Sequence, residues 1–236
     1  MRTTLTNDEF LDELTGLFCR EGIKNLTVGE IAARLHCSRR RLYGIAETKE
    51  EIFCVAVDHF FRVLLEQGEA IIREEPDPTV AIAAYLNVGI RAGSHMCAQF
   101  LKDIEDSEAA SASFDAYQQA RADGLTRLID DGVRKGVFVP CHGRVVSELL
   151  LGAALRLRRP AFLAQANLTI EEAFRELYRA VLGGLLVKAT APGSTKRGAQ
   201  AGRGTARTAR QGGSAKPLAT GDDELHKVLM AAWNRS

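Results

Sequence analysis

Apolar residues along this chain recur at intervals of three and four, the spacing that gathers side chains on one face of an α-helix. Phe10, Leu11, Leu14, Leu17 and Phe18 share such a face and predict a first helix over 7–21, closed by Gly22. Val28, Ile31, Ala32 and Leu35 predict a short second helix over 28–35. His36 and Cys37 turn the chain, and Ser38 can N-cap a third helix over 39–45 with Leu42 pointing inward. A long fourth helix starts at Lys49, with Ile52, Phe53, Ala56, Val57, Phe60, Val63 and Leu64 in one stripe. Pro76 and Pro78 break the pattern. Further helices are predicted over 79–93, 96–109 and 112–135, then over 143–158, stopped by Pro160, and over 170–187. Almost every segment reads as helix, so the expected fold class is all-α.

The helix starts carry one recurring device. Thr6 with Glu9, Thr27 with Glu30, Thr48 with Glu51 and Thr169 with Glu172 each fit a capping box, in which the Thr hydroxyl accepts the third helical N–H and the Glu reaches back. From Ala191 to Gly221 the composition collapses to small and basic residues that cannot bury enough apolar surface to offset their ordering entropy. That stretch is expected to be a disordered basic linker, and 222–236 a short C-terminal helix.

The formal charge of +1 hides a segregation. Lys196, Arg197, Arg203, Arg207, Arg210 and Lys216 follow one another without an acid, whereas acids outnumber bases before them. Five cysteines without a CxxC spacing argue against a disulfide framework or a zinc finger. The start of the chain lacks the apolar stretch of a signal peptide, and no run approaches the ~18 apolar residues of a membrane span. The expectation is a reduced, cytoplasmic protein.

Three short helices, with a tight turn between the second and third, match the geometry of a helix-turn-helix. Arg39, Arg40 and Arg41 fill the first turn of the third helix, where the macrodipole disfavours cations by a few tenths of a kcal/mol each. An external anion would offset that conflict. A rotation of 100° per residue places Arg40 about 160° from Leu42, pointing outward, with Arg41 and Tyr43 flanking it. Arg40 is therefore the first candidate for reaching base edges and Arg41 the second, because bidentate Arg to guanine is the commonest specific contact. Tyr43, Thr27 and Lys49 suit backbone phosphates. The plainer alternative is a solvated face of arginines with Tyr43 in the core.

The segments Leu17-Phe18-Cys19-Arg20-Glu21-Gly22, Leu26-Thr27-Val28-Gly29-Glu30-Ile31-Ala32, and Ser38 to Tyr43 followed by Lys49-Glu50-Glu51-Ile52 resemble the TetR family of bacterial repressors. The resemblance implies an N-terminal helix-turn-helix domain over 1–48 and a helical ligand-binding and dimerisation domain over 49–190. It further implies a homodimer on a palindromic operator, released by a small-molecule inducer. By position, Thr27, Ser38, Arg39, Arg40, Tyr43 and Lys49 match places where the family contacts DNA. The chain departs from the family at Gly44, Ile45 and Ala46, where an aromatic is lost, and at the His36-Cys37 turn, which usually holds a glycine.

The two most hydrophobic late helices, 143–158 and 170–187, are the expected dimer surface, with intramolecular core as the alternative. A ligand pocket is expected among Phe60, Phe61, Tyr85, His95, Met96, Phe100, Phe114 and Tyr117, which supply aromatic and soft surface. No cofactor or metal site is assigned; His95 with Cys97 and Cys141 with His142 are the nearest approach to one. An enzyme would need a nucleophile with its base, a metal cluster or a phosphate loop, and none stands at useful spacing. The competing non-enzymatic reading is an architectural protein that binds any DNA through its basic tail.

Overall fold

The computed structural model describes residues 6–157 and 159–185. The described elements are helices: α1 (Asn7–Glu21), α2 (Val28–Arg34), α3 (Arg39–Tyr43), α4 (Lys49–Glu74), α5 (Pro78–His95), α6 (Ala98–Glu105), α7 (Glu108–Arg134), α8 (Gly143–Leu157), α9 (Pro160–Ala166) and α10 (Ile170–Leu185). The all-α class holds. The basic linker and terminal helix expected over 191–221 and 222–236 lie outside the described residues.

All four capping boxes form. Thr6, Thr27, Thr48 and Thr169 each accept the backbone N–H three residues on, at 3.1–3.2 Å, while the paired glutamate accepts the threonine N–H at 2.8–3.0 Å. Each box satisfies two backbone donors that a helix start otherwise leaves open.

Where boundaries differ from the expected ones, local chemistry explains it. Pro160 does not merely stop α8; it opens α9, because a proline at the first helical position has no N–H to lose and its φ already suits the helix. Ser107 caps α7 by accepting from the Ala110 N–H at 3.3 Å, so that helix begins four residues early and α6 ends at Glu105. α3 stops at Tyr43 because Ile45 N–H turns back to Leu42 O at 2.9 Å, an i to i+3 bond that tightens the last turn.

Two apolar cores organise the molecule. The first gathers Phe10, Leu14, Phe18, Ile31, Leu42, Ile52 and Phe53 from α1–α4 with Phe100, Ile104 and Tyr117 from α6 and α7. Its spine is a run of edge-to-face rings: Phe18 to Phe53 at 5.6 Å, then Phe53 to Phe100 at 5.8 Å. This core crosses the boundary at residues 48 and 49 without a break. The second gathers Ile82, Leu86, Leu125, Ile129, Leu150, Phe174 and Leu182 from α5, α7, α8 and α10. Each fully buried side chain of this size contributes roughly 1.5–3 kcal/mol of transfer free energy. α4 and α7 pack along each other and carry the first three helices on one end.

Candidate nucleic-acid interface

The α2–α3 turn is built by a Schellman motif. His36 N–H donates to Ala33 O at 3.2 Å and Cys37 N–H to Ala32 O at 2.9 Å, with His36 held at φ 50°. A glycine takes that left-handed conformation without strain; histidine does so at a cost of roughly 1–2 kcal/mol. Ser38 then caps α3, its hydroxyl accepting from the Arg41 N–H at 3.2 Å. Leu42 is 0% exposed and pins α3 to the first core.

That anchorage sets the rotation of α3. Arg40 is exposed and has no hydrogen-bond or ion-pair partner among the described residues. Tyr43, one turn on, is 51% exposed, so it is not core. Arg39 is exposed too, and its guanidinium lies over Gly29 of α2; a Cβ at Gly29 would come within 2.6 Å of it. The first turns of α2 and α3 therefore lie side by side, bringing Thr27, exposed in its capping box, near Arg39.

Two of the expected contact residues are placed otherwise. Arg41 is half-buried, with its guanidinium 4.2 Å from the centroid of the Phe10 ring, so it ties α3 to α1 by a cation–π contact instead of flanking Arg40 in solvent. Lys49 donates from Nζ to Leu26 O at 3.1 Å and Ile23 O at 3.4 Å, satisfying carbonyls of the α1–α2 loop. Its ammonium is committed within the fold.

The same loop is held from the other side by a residue that sequence reasoning missed. Asp103 of α6 is buried, and its carboxylate accepts from Ile23 N–H at 2.6 Å and from the Gln99 amide at 2.7 Å. Gly22 makes this approach feasible: at φ 73° and ψ −177° it occupies a region essentially reserved for glycine. A Cβ there would fall 2.6 Å from the Asp103 carboxylate. Cys97 N–H also donates to Cys19 O at 2.7 Å. A visible signal was there: Asp103 sits between Phe100 and Ile104 in the apolar stripe of α6, where an acid needs a dedicated donor. A second missed tie is buried His59. Arg62 donates to its Nδ1 at 2.9 Å, so Nε2 carries the proton and donates to Asp12 of α1 at 2.7 Å.

A cavity of about 500 Å³ opens between α5, α6, α7, α8 and α10. Of the residues expected to line a pocket, Met96 does so here. His95 lines a second cavity, of about 560 Å³, between α4 and α5, and with Phe60 a smaller one of about 340 Å³ beside α1. Phe61, Tyr85, Phe100, Phe114 and Tyr117 belong to the two cores. Phe61 stacks on Tyr117 at 4.6 Å, and Phe114 packs on Phe61 at 5.6 Å. Tyr85 donates to Arg121 O at 3.1 Å, and burial pushes its hydroxyl up to about 12. Among the described residues no three His, Cys, Asp or Glu side chains are grouped to hold a metal ion, and no helix is long and apolar enough to cross a membrane.

No protein-family model and no curated protein matches the sequence. Solved structures do match. A TetR transcription regulator from Haloarcula marismortui superposes with a TM-score of 0.62 at 20% identity, over 76% of this chain and 98% of that one. A TetR-family regulator from Thermus thermophilus gives 0.55 at 23% identity, over 75% and 98%. A transcriptional regulator from Saccharomonospora viridis, solved in complex with choline, gives 0.64 at 13% identity, over 76% and 96%. The chain has the TetR-type fold.

Proposed function

We propose that the chain is a sequence-specific DNA-binding transcription regulator, acting as a repressor that a small molecule releases from its operator. The observation that carries this reading is the state of α3. Its cap, its buried Leu42 and the Arg41–Phe10 contact fix a five-residue helix whose outward side chains, Arg40 and Tyr43, have no described structural work to do. A rigid helix presenting an unpartnered guanidinium is what major-groove readout requires.

A two-fold operator needs a dimer. α8 supports one: Val145 is 64% exposed and Leu149 57% exposed, apolar side chains one turn apart on its outer face. Leu182 of α10, by contrast, is 0% exposed within the single chain, so it belongs to the second core and not to the outer surface.

The route from effector to DNA runs through α6. Ala98 and Leu101 of α6 line the cavity, while Asp103 of the same two turns, held by the Gln99 amide, grips the α1–α2 loop. A ligand that displaces α6 pulls on that loop directly, and through it on the helix-turn-helix. Selection of bound sequences from a random DNA pool tests the reading. An enriched inverted repeat is expected; a pool that shows no enrichment overturns it.

A further inference from the structure

The cavity between α5 and α10 has a one-sided chemistry. Its walls are apolar, with Leu86, Ile90, Leu101, Leu151 and Phe174 among them, and its volume of about 500 Å³ falls in the range of small-molecule sites. Among the described residues its charged lining is Arg121 and Arg159, without a carboxylate. Arg121 lies against Gly89, where a Cβ would collide with its guanidinium. It touches the Tyr117 ring at 5.5 Å and Gln118 Oε1 at 3.4 Å, and has no acidic partner among the described residues. Arg159 makes no side-chain hydrogen bond or ion pair there either. Tyr178, also on the lining, is buried and its hydroxyl has no hydrogen-bond partner among the described residues.

We infer that this cavity binds an amphipathic carboxylate, with the carboxyl group received by Arg121 and Tyr178 and the hydrocarbon part by the apolar walls. The proposal rests on the cavity being the effector site described above and names the chemistry of what enters it. The polar complement decides the class. A guanidinium only donates, and a planar fork of donors matches a carboxylate. Burial raises the Tyr178 hydroxyl above its ordinary range, so it too is a donor at neutral pH. A neutral guest would leave the positive groups without a counter-charge, and a cationic guest would meet charge of its own sign.

Calorimetric titration of the full chain tests this, with decanoate, decanol and decyltrimethylammonium as probes of equal chain length and different charge. Decanoate should bind roughly tenfold or more tightly than either of the others. Arg121→Gln should weaken decanoate by a similar factor. Tyr178→Phe should weaken it too while leaving the fold intact, because that hydroxyl holds nothing in the unliganded protein. Equal binding of decanol or of the ammonium probe overturns the proposal. So do decanoate affinities unchanged in both variants, and so does a failure of decanoate to bind. Operator release is scored separately: decanoate that binds with this specificity yet leaves DNA affinity unchanged upholds the ligand class and refutes the regulatory reading.

Discussion

Two tyrosines of the second core differ in one respect, and it gives opposite signs for the same substitution. Both Tyr85 and Tyr178 are about 4% exposed. The Tyr85 hydroxyl donates to Arg121 O at 3.1 Å, whereas the Tyr178 hydroxyl is buried without a partner among the described residues. A buried, unsatisfied polar group costs about 1–3 kcal/mol, and a satisfied neutral hydrogen bond contributes about 0.5–1.5 kcal/mol. Phenylalanine keeps the ring and its packing in each case. Tyr178→Phe should therefore raise stability by about 1 kcal/mol or more, a gain of roughly 2–4 °C per kcal/mol in a chain of this size. Tyr85→Phe should lower it by about 1 kcal/mol. Urea unfolding at unchanged m-value measures both. If Tyr178→Phe destabilises as much as Tyr85→Phe, the Tyr178 hydroxyl has a partner in the free protein and is not held open for a ligand.

Gly22→Ala should cost about 2 kcal/mol or more, because it combines a left-handed φ with a methyl group driven into Asp103; a loss below 0.5 kcal/mol in urea unfolding would show that the loop relaxes freely. Leu149→Arg should leave the monomer fold intact, since the side chain is already mostly exposed, but shift sedimentation from dimer to monomer; a variant that stays dimeric removes α8 from the interface. Glu9, Glu30 and Glu172 have pKa values held below the ordinary 4.5 by backbone N–H and Thr hydroxyl bonds. Their contribution is fully present above that ordinary value and is lost as pH falls through the lowered ones. Amide protection factors at Thr6, Thr27 and Thr169, taken relative to the intrinsic exchange rate at each pH, should therefore fall only below about pH 4.5; a change centred near neutrality would contradict the assignment.

How far the sequence reveals this molecule depends on the range of the interactions involved. Capping boxes act within four residues, so the starts of α1, α2, α4 and α10 were legible. Pro160 was legible as a break but ambiguous in sense, because the same ring that ends one helix can open the next. The outward rotation of Arg40 followed from Leu42 alone. Arg41 and Lys49 were misplaced because their partners, Phe10 and the carbonyls of Ile23 and Leu26, come from elements that meet them only in the folded chain. The cavity between α5, α6, α7, α8 and α10 was less legible, because its lining is set by which helices diverge; of the residues expected to line a pocket it takes Met96.

The central claim is that α3 reads bases through Arg40 while Tyr43 positions the backbone. Equilibrium binding of Arg40→Ala and Tyr43→Phe to a selected operator and to single-base variants of it, at one fixed salt concentration, tests this most directly. Arg40→Ala should cost about 1–3 kcal/mol on the operator and abolish preference at one base pair in each half-site. Tyr43→Phe should weaken all sequences alike. If Arg40→Ala weakens every DNA equally and leaves the base preference untouched, α3 does not read sequence through Arg40, and the account fails at its centre.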